Sequence, residues 1–166
     1  SGRLDIVRRP AQLDEVIRTS VEAHERSAAA AGISMVTDIP RPLPGMLDPN
    51  RIDQVLNNLL SNAIKYSPGG GTITISAWRG PTELGFDVRD NGMGMSEEDT
   101  ARIFTKFFRS GEVRRSAIPG VGLGMSIARE IVEGHGGDIS CISVPGSGTT
   151  FTVTLPVTPA DVSVLV

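Results

Sequence analysis

Asn58, Asn62 and Lys65 fall at helical spacing in the stretch Asn58-Leu-Leu-Ser-Asn-Ala-Ile-Lys-Tyr66. An amide, a second amide and an ammonium therefore share one face of a helix whose other side is leucine and isoleucine. Asparagine has moderate helix propensity at best, and glutamate or lysine would serve better on a face that only needs solvation. Amide carbonyl oxygens can ligate magnesium while the ammonium offsets anionic charge, so this face suits phosphate oxygens and a hard cation. Tyr66 adds a flat ring with a polar tip, useful beside a base or as filler between helix and sheet. Taken alone, the segment reads equally well as a solvated face with a core tyrosine.

Two glycine segments shift that balance. Asp90-Asn-Gly-Met-Gly94 begins where a strand pattern ends. Gly92 and Gly94 permit unusual dihedrals and close backbone approach, and Asp90 can accept from an exocyclic amine such as that of adenine. By itself such a stretch also reads as an ordinary turn. Gly120-Val-Gly-Leu-Gly-Met125 runs straight into a helical pattern, so Gly120, Gly122, Leu123 and Gly124 would put free amides and a helix start toward an anion. The glycine spacing is not that of a dinucleotide fingerprint, and no phosphate-loop, zinc-protease or calcium-loop motif occurs. Between the glycine segments lie Arg102, Lys106, Arg109, Arg114 and Arg115 against a single acid, Glu112. In a chain of net charge -3 this concentration suggests phosphate contact. The weakly patterned region reads as a cover over a ligand, with Phe104 and Phe108 holding its base against the body.

The elements that must position these residues follow from periodicity. Helices are expected over residues 11–31, from Pro49 (capped by Asp48) to before Pro68, and over 123–133, with a shorter one around 97–108. Strands are expected at 33–39, 72–78, 84–90, 138–144 and 149–155, the middle and last pairs as hairpins. Residues 40–45 form a proline-rich turn. That inventory predicts an α/β (α+β) two-layer sandwich: a mixed five-stranded sheet with three main helices on one face. With 166 residues, 39% hydrophobic and 21% charged, the chain fits one soluble domain. The mild negative charge argues against a general nucleic-acid partner. A single cysteine, Cys141, excludes an internal disulfide and a cysteine-built zinc site, and reads as a small buried hydrophobe. No stretch reads as a membrane span or signal peptide.

The set Asn58-x3-Asn62-x2-Lys65-Tyr66, Asp90-x-Gly92-x-Gly94, Phe104-Thr-Lys-Phe-Phe-Arg109 and Gly120-x-Gly-Leu-Gly124 resembles the N, G1, F and G2 boxes of bacterial sensor histidine kinases, in their order. The resemblance covers about residues 11–156 and implies the Bergerat-type catalytic and ATP-binding domain, with ATP and Mg2+ as its cofactors. It implies residues 1–10 as a linker from a missing dimerisation domain, a lid at about 95–121 and a tail at 157–166. By position, Asn62 would be the magnesium ligand, supported by Asn58. Lys65 would contact phosphates and Tyr66 would border the adenine. Asp90 would accept from the adenine amino group, with Gly92 and Gly94 leaving room for the base. Lys106 and Arg109 would reach phosphates from the lid, and Gly120, Gly122, Leu123 and Gly124 would form the hinge and phosphate-facing turn. Asn58, Lys65, Lys106 and Arg109 are thus the residues expected to act in catalysis.

Two departures qualify the expectation. The family's phosphoacceptor histidine lies on a separate two-helix domain. His24-Glu25-Arg26 resembles its start, but Ser-Ala-Ala-Ala follows and Asn58 comes only 34 residues later, so His24 is read as a helix residue and the acceptor as absent. His135, at a helix-to-strand turn, is read as structural. Second, hydrolytic members of the wider superfamily carry a glutamate base where this chain has Asn58, and an amide cannot take a proton from water. Partners implied are the phosphoacceptor domain of the parent protein and, through it, a response regulator. The isolated domain is expected to be monomeric and cytoplasmic, its parent membrane-anchored. The alternatives are an anti-sigma-type serine kinase of the same fold and a nucleotide-sensing interaction module.

Overall fold

Leu13, Ile17, Val21 and Ala28 lie along one side of the first long helix, α1 (Leu13–Ala30), and all are buried. Gly32, at φ 74°, turns the chain out of it as a left-handed residue just past the cap. The computed structural model describes residues 4–106 and 124–157. In chain order they form β1 (Arg9–Gln12), α1, β2 (Ile33–Asp38), β3 (Pro44–Leu47), α2 (Pro49–Lys65), β4 (Gly71–Arg79) and β5 (Glu83–Asp90). After these come α3 (Glu97–Arg102), α4 (Gly124–Gly134), β6 (Asp138–Val144) and β7 (Gly148–Pro156).

Five strands make the main sheet in the order β2-β4-β5-β7-β6. β2 joins β4 in parallel and the other pairs are antiparallel, including the expected hairpins β4–β5 and β6–β7. Alternation sends Ile73, Ile75 and Ala77 of β4, and Phe151, Val153 and Leu155 of β7, to the helix-covered face. Ile52, Val55, Leu56, Leu59 and Leu60 of α2 and Ala128, Ile131 and Val132 of α4 meet them. The two-layer sandwich is therefore the fold.

Three features depart from the sequence reading. Arg9 and Pro10 of the expected linker, and Pro44 and Gly45 of the expected turn, belong to a separate two-stranded antiparallel sheet, with Arg9 opposite Leu47 and Gln12 opposite Pro44. Strands this short, each containing proline, carry no alternation, and their pairing is long-range. The short helix stops at Arg102, and just beyond it Phe104 sets its ring edge-on to Phe151 at 6.1 Å. Arg129 lies 5.9 Å over the Phe104 ring, which ties Phe104 to the body, while Phe108, expected to share that role, lies outside the described residues. Cys141 is half-buried rather than buried, since β6 is an edge strand.

Asp48 caps α2 as expected, its Oδ1 accepting from Arg51 N–H at 3.2 Å and its Oδ2 from Val7 N–H at 2.9 Å. Asp48 N–H donates to His135 Nε2 at 3.0 Å, and His135 Nδ1 lies 2.9 Å from Ile131 O. Because Nε2 accepts, the neutral ring carries its proton on Nδ1 and donates to that carbonyl. His135 thus pins the end of α4 to the start of α2. His24 is half-buried on α1 and lies within its own helix turn, 2.8 Å from Ser20 O.

Candidate functional site

The helical spacing that orients α2's core also splits its two adjacent asparagines. Asn57 faces α1: its Oδ1 accepts from Ser20 Oγ at 3.0 Å and its Nδ2 donates to Asp53 at 3.3 Å. Asn58 faces α4, and its Nδ2 donates to Gly124 O at 2.9 Å. That carbonyl can only accept, so the amide orientation is fixed and the Asn58 Oδ1 is left as the uncommitted end. Asn62 lies one turn on, half-buried, and Lys65 is exposed at the last turn. Asn58, Asn62 and Lys65 thus follow one another along α2, and Asn58 abuts Gly124, the first residue of α4.

Tyr66 ends α2 and is 8% exposed, so its ring packs as filler. Its carbonyl accepts from Met93 N–H at 2.9 Å, tying the helix end to the turn after β5. A Cβ on Gly92 would strike that same carbonyl, and one on Gly94 (φ 67°) would strike Val144 O. The room these glycines provide is taken up by the chain's own backbone, which brings the turn against α2 and β6. Asp90, at the end of β5 and 4% exposed, accepts from Gly92 N–H at 2.9 Å. Burial pushes its carboxyl above the usual range, and the N–H groups of Gly92 and Thr149 oppose that shift.

Lys106 is exposed at the edge of the described cover. Arg109, Gly120, Gly122 and Leu123 lie outside the described residues. What the structure assembles is therefore α2's polar face, the Asp90–Gly94 turn and the Gly124 start of α4. Sequence reasoning missed Ser67, Ser143 and Thr149 beside that turn. Ser67 is 2% exposed with its Oγ unpartnered among the described residues. Ser143 Oγ accepts from Met95 N–H at 2.8 Å, donates to Gly148 O at 3.0 Å and lies 2.8 Å from Thr149 Oγ1. Ser143 and Thr149 in alternating strands look like surface, and no local pattern marks Ser67 after the end of α2.

Clefts elsewhere are built differently. One of about 370 Å³ lies between α1 and the edge strand β2, lined by Arg18, Val21 and Met35 among others. It contains none of the candidate residues. Among the described residues no helix is long and apolar enough to cross a membrane.

A family model described as "Histidine kinase-, DNA gyrase B-, and HSP90-like ATPase" matches residues 47–159, more than half of the chain. The sensor histidine kinase WalK of Bacillus subtilis (strain 168) is 42% identical over 127 residues, which is 75% of this chain and 21% of WalK. The solved catalytic domain of histidine kinase ThkA superposes with a TM-score of 0.79 at 30% identity, over 94% of this chain and 100% of that one. Full-length ShkA, solved in complex with AMPPNP, gives 0.81 at 25% identity over 95% of this chain and 33% of ShkA. The chain spans well under half the length of the curated relatives it matches. It belongs to this ATPase family, as a histidine kinase catalytic domain with the Bergerat-type fold.

Proposed function

We propose that the chain binds Mg-ATP between α2, the Gly92 turn and α4, and presents the γ-phosphoryl to a histidine on a separate dimerisation domain of its parent protein. The observation that carries this reading is the Asn58–Gly124 hydrogen bond. It sets the amide face of α2 against the start of α4, where phosphate oxygens would meet both.

The residues present fit such a ligand. Asp90 is a buried acceptor for an amino group, and the nearby Ser67 hydroxyl is a buried polar atom that lacks a partner among the described residues. Among the described residues no three His, Cys, Asp or Glu side chains cluster as a cation cage. A magnesium ion would therefore draw on Asn62 and Asn58 amide oxygens together with phosphate oxygens, which suits its preference for few protein ligands. Bound magnesium supplies charge neutralisation along the phosphates. Lys65 would stand at the phosphate end of α2, Lys106 and Arg109 would add charge from the cover, and Gly120, Gly122, Leu123 and Gly124 would lead into the phosphate-facing helix start. Tyr66 would border the base as the filler beneath the Gly92 turn. The ShkA complex with AMPPNP supports a nucleotide in this fold.

Asn58 cannot act as a base toward water, so transfer to an imported imidazole is favoured over hydrolysis. The parent would be membrane-anchored with this domain cytoplasmic, and the phosphohistidine would pass its group to a response regulator. Mixing the chain with its parent's separately made dimerisation domain and labelled ATP should give acid-labile phosphate on histidine. Acid-stable phosphate on serine instead would reassign the acceptor and contradict the proposal.

A further inference from the structure

We infer that Ser67 is a specificity residue of the nucleotide site, its hydroxyl donating to the acceptor ring nitrogen beside the base's amino group, directly or through one held water. This rests on the nucleotide reading above and adds to it a second polar contact with the base.

Ser67 follows the last turn of α2, and its backbone is satisfied at both ends. Its N–H donates to Ile64 O at 3.2 Å and its carbonyl accepts from Gly70 N–H at 3.0 Å. The side chain is the exception. The residue is 2% exposed, and Oγ has no hydrogen-bond partner among the described residues. Burying a hydroxyl without a partner is costly, and such atoms in folded proteins usually await a water or a ligand.

Its position says which ligand. A Cβ built on Gly92 would lie 2.6 Å from Ser67 Oγ, so the hydroxyl sits against the Gly92 Cα. The N–H of that same glycine donates to Asp90 Oδ1 at 2.9 Å. A carboxylate that can only accept and a hydroxyl free to donate thus flank one residue. Adenine presents the matching pair, an amino donor next to the N1 acceptor. Guanine presents the reverse, a carbonyl next to an N1–H.

Donors of four nearby residues are committed. Met93 N–H is held by Tyr66 O at 2.9 Å and Met95 N–H by Ser143 Oγ at 2.8 Å. Ser143 spends its proton on Gly148 O at 3.0 Å, so the 2.8 Å contact with Thr149 uses the threonine proton. Thr149 N–H is already turned on Asp90. Ser67 keeps a proton to give.

The test is calorimetric titration of wild type and Ser67→Ala with Mg-ADP, Mg-GDP and Mg-1-deaza-ADP, in which a CH replaces N1. Ser67→Ala is expected to weaken Mg-ADP about tenfold, the scale of one neutral hydrogen bond. Wild type should lose a similar factor on 1-deaza-ADP, and the variant should lose nothing further there. The nucleotide-free variant should melt no lower than wild type, because no partner is removed. Unchanged Mg-ADP affinity would overturn the assignment, as would equal losses on ADP and 1-deaza-ADP or a lowered melting point without nucleotide. Those results leave an adenine-selective wild type standing, whereas a wild type that binds no nucleotide removes the functional reading as well.

Discussion

Asp90→Asn separates the binding role of one carboxyl from its effect on stability. The substitution keeps the shape and exchanges an acceptor for a donor. Asp90 is 4% exposed, so solvent cannot replace a lost contact with an amino group. A hydrogen bond to a charged group contributes about 2 kcal/mol, so Mg-ATP affinity should fall about thirtyfold. The new amide donor meets the guanine carbonyl, so Mg-GTP affinity should hold or rise. Stability moves with a definite sign. Burial raises the folded carboxyl's pKa, so the folded chain holds the proton more tightly than the unfolded one. The charged form is therefore a stability loss, absent in acid and complete once the pH exceeds the folded pKa. An amide never ionises, so variant-minus-wild-type stability should grow more favourable between about pH 4 and pH 7. This trend matters more than the absolute difference, since Asn keeps one acceptor oxygen for the two N–H groups of Gly92 and Thr149. Calorimetry gives the affinities, and urea unfolding across that pH range gives the rest. A variant whose preference for ATP over GTP is as large as that of wild type, or a stability difference flat in pH, would refute the reasoning.

Other perturbations have equally definite outcomes. Burial lowers the pKa of His135, whose Nε2 accepts from Asp48 N–H. Its contribution is intact above about pH 6.5 and lost as the pH falls below that, so His135→Ala should be less stable than wild type at pH 7.5 with the gap narrowing toward pH 5, and a constant gap would contradict it. Gly94→Ala combines a left-handed φ of 67° with a collision against Val144 O, while Gly146→Ala (φ 79°) meets nothing within 4 Å. Gly146→Ala should cost about 1 kcal/mol and Gly94→Ala at least twice that in urea unfolding; equal costs would remove the close-approach argument. Burial and then the charge of Asp90 push the Cys141 thiol up to about 12. Iodoacetamide at neutral pH should label it at least a hundredfold more slowly than a free cysteine, as read by mass spectrometry, and rapid labelling would show the thiol is not so perturbed.

Most of the fold was legible because its long elements carry strong periodicity. α2 announces itself through Asp48, Pro49 and an apolar stripe, and β4 through the alternation of Ile73, Ile75 and Ala77 with threonine and serine. The β1–β3 sheet was not legible, since Gln12 and Pro44 are brought together by chain closure rather than by any local pattern. In the site, the amides of α2 stood out because asparagine is unexpected on a helix. Helical spacing from Asn62 and Lys65 singled out Asn58, and the structure agrees by turning its neighbour Asn57 to α1 instead. The glycines were legible as glycines, but their reason, the backbone of Tyr66 and Val144, is tertiary. Ser67 gave no signal, for an orphaned hydroxyl exists only once its surroundings are known.

A crystal of the chain grown with Mg-AMPPNP tests the central claim most directly. The expected density places the base amino group at Asp90, the cation against the amide oxygens of Asn62 and Asn58, and the phosphates toward Gly124 and the start of α4. Nucleotide seated instead in the cleft between α1 and β2, or a base turned away from Asp90, would contradict the account.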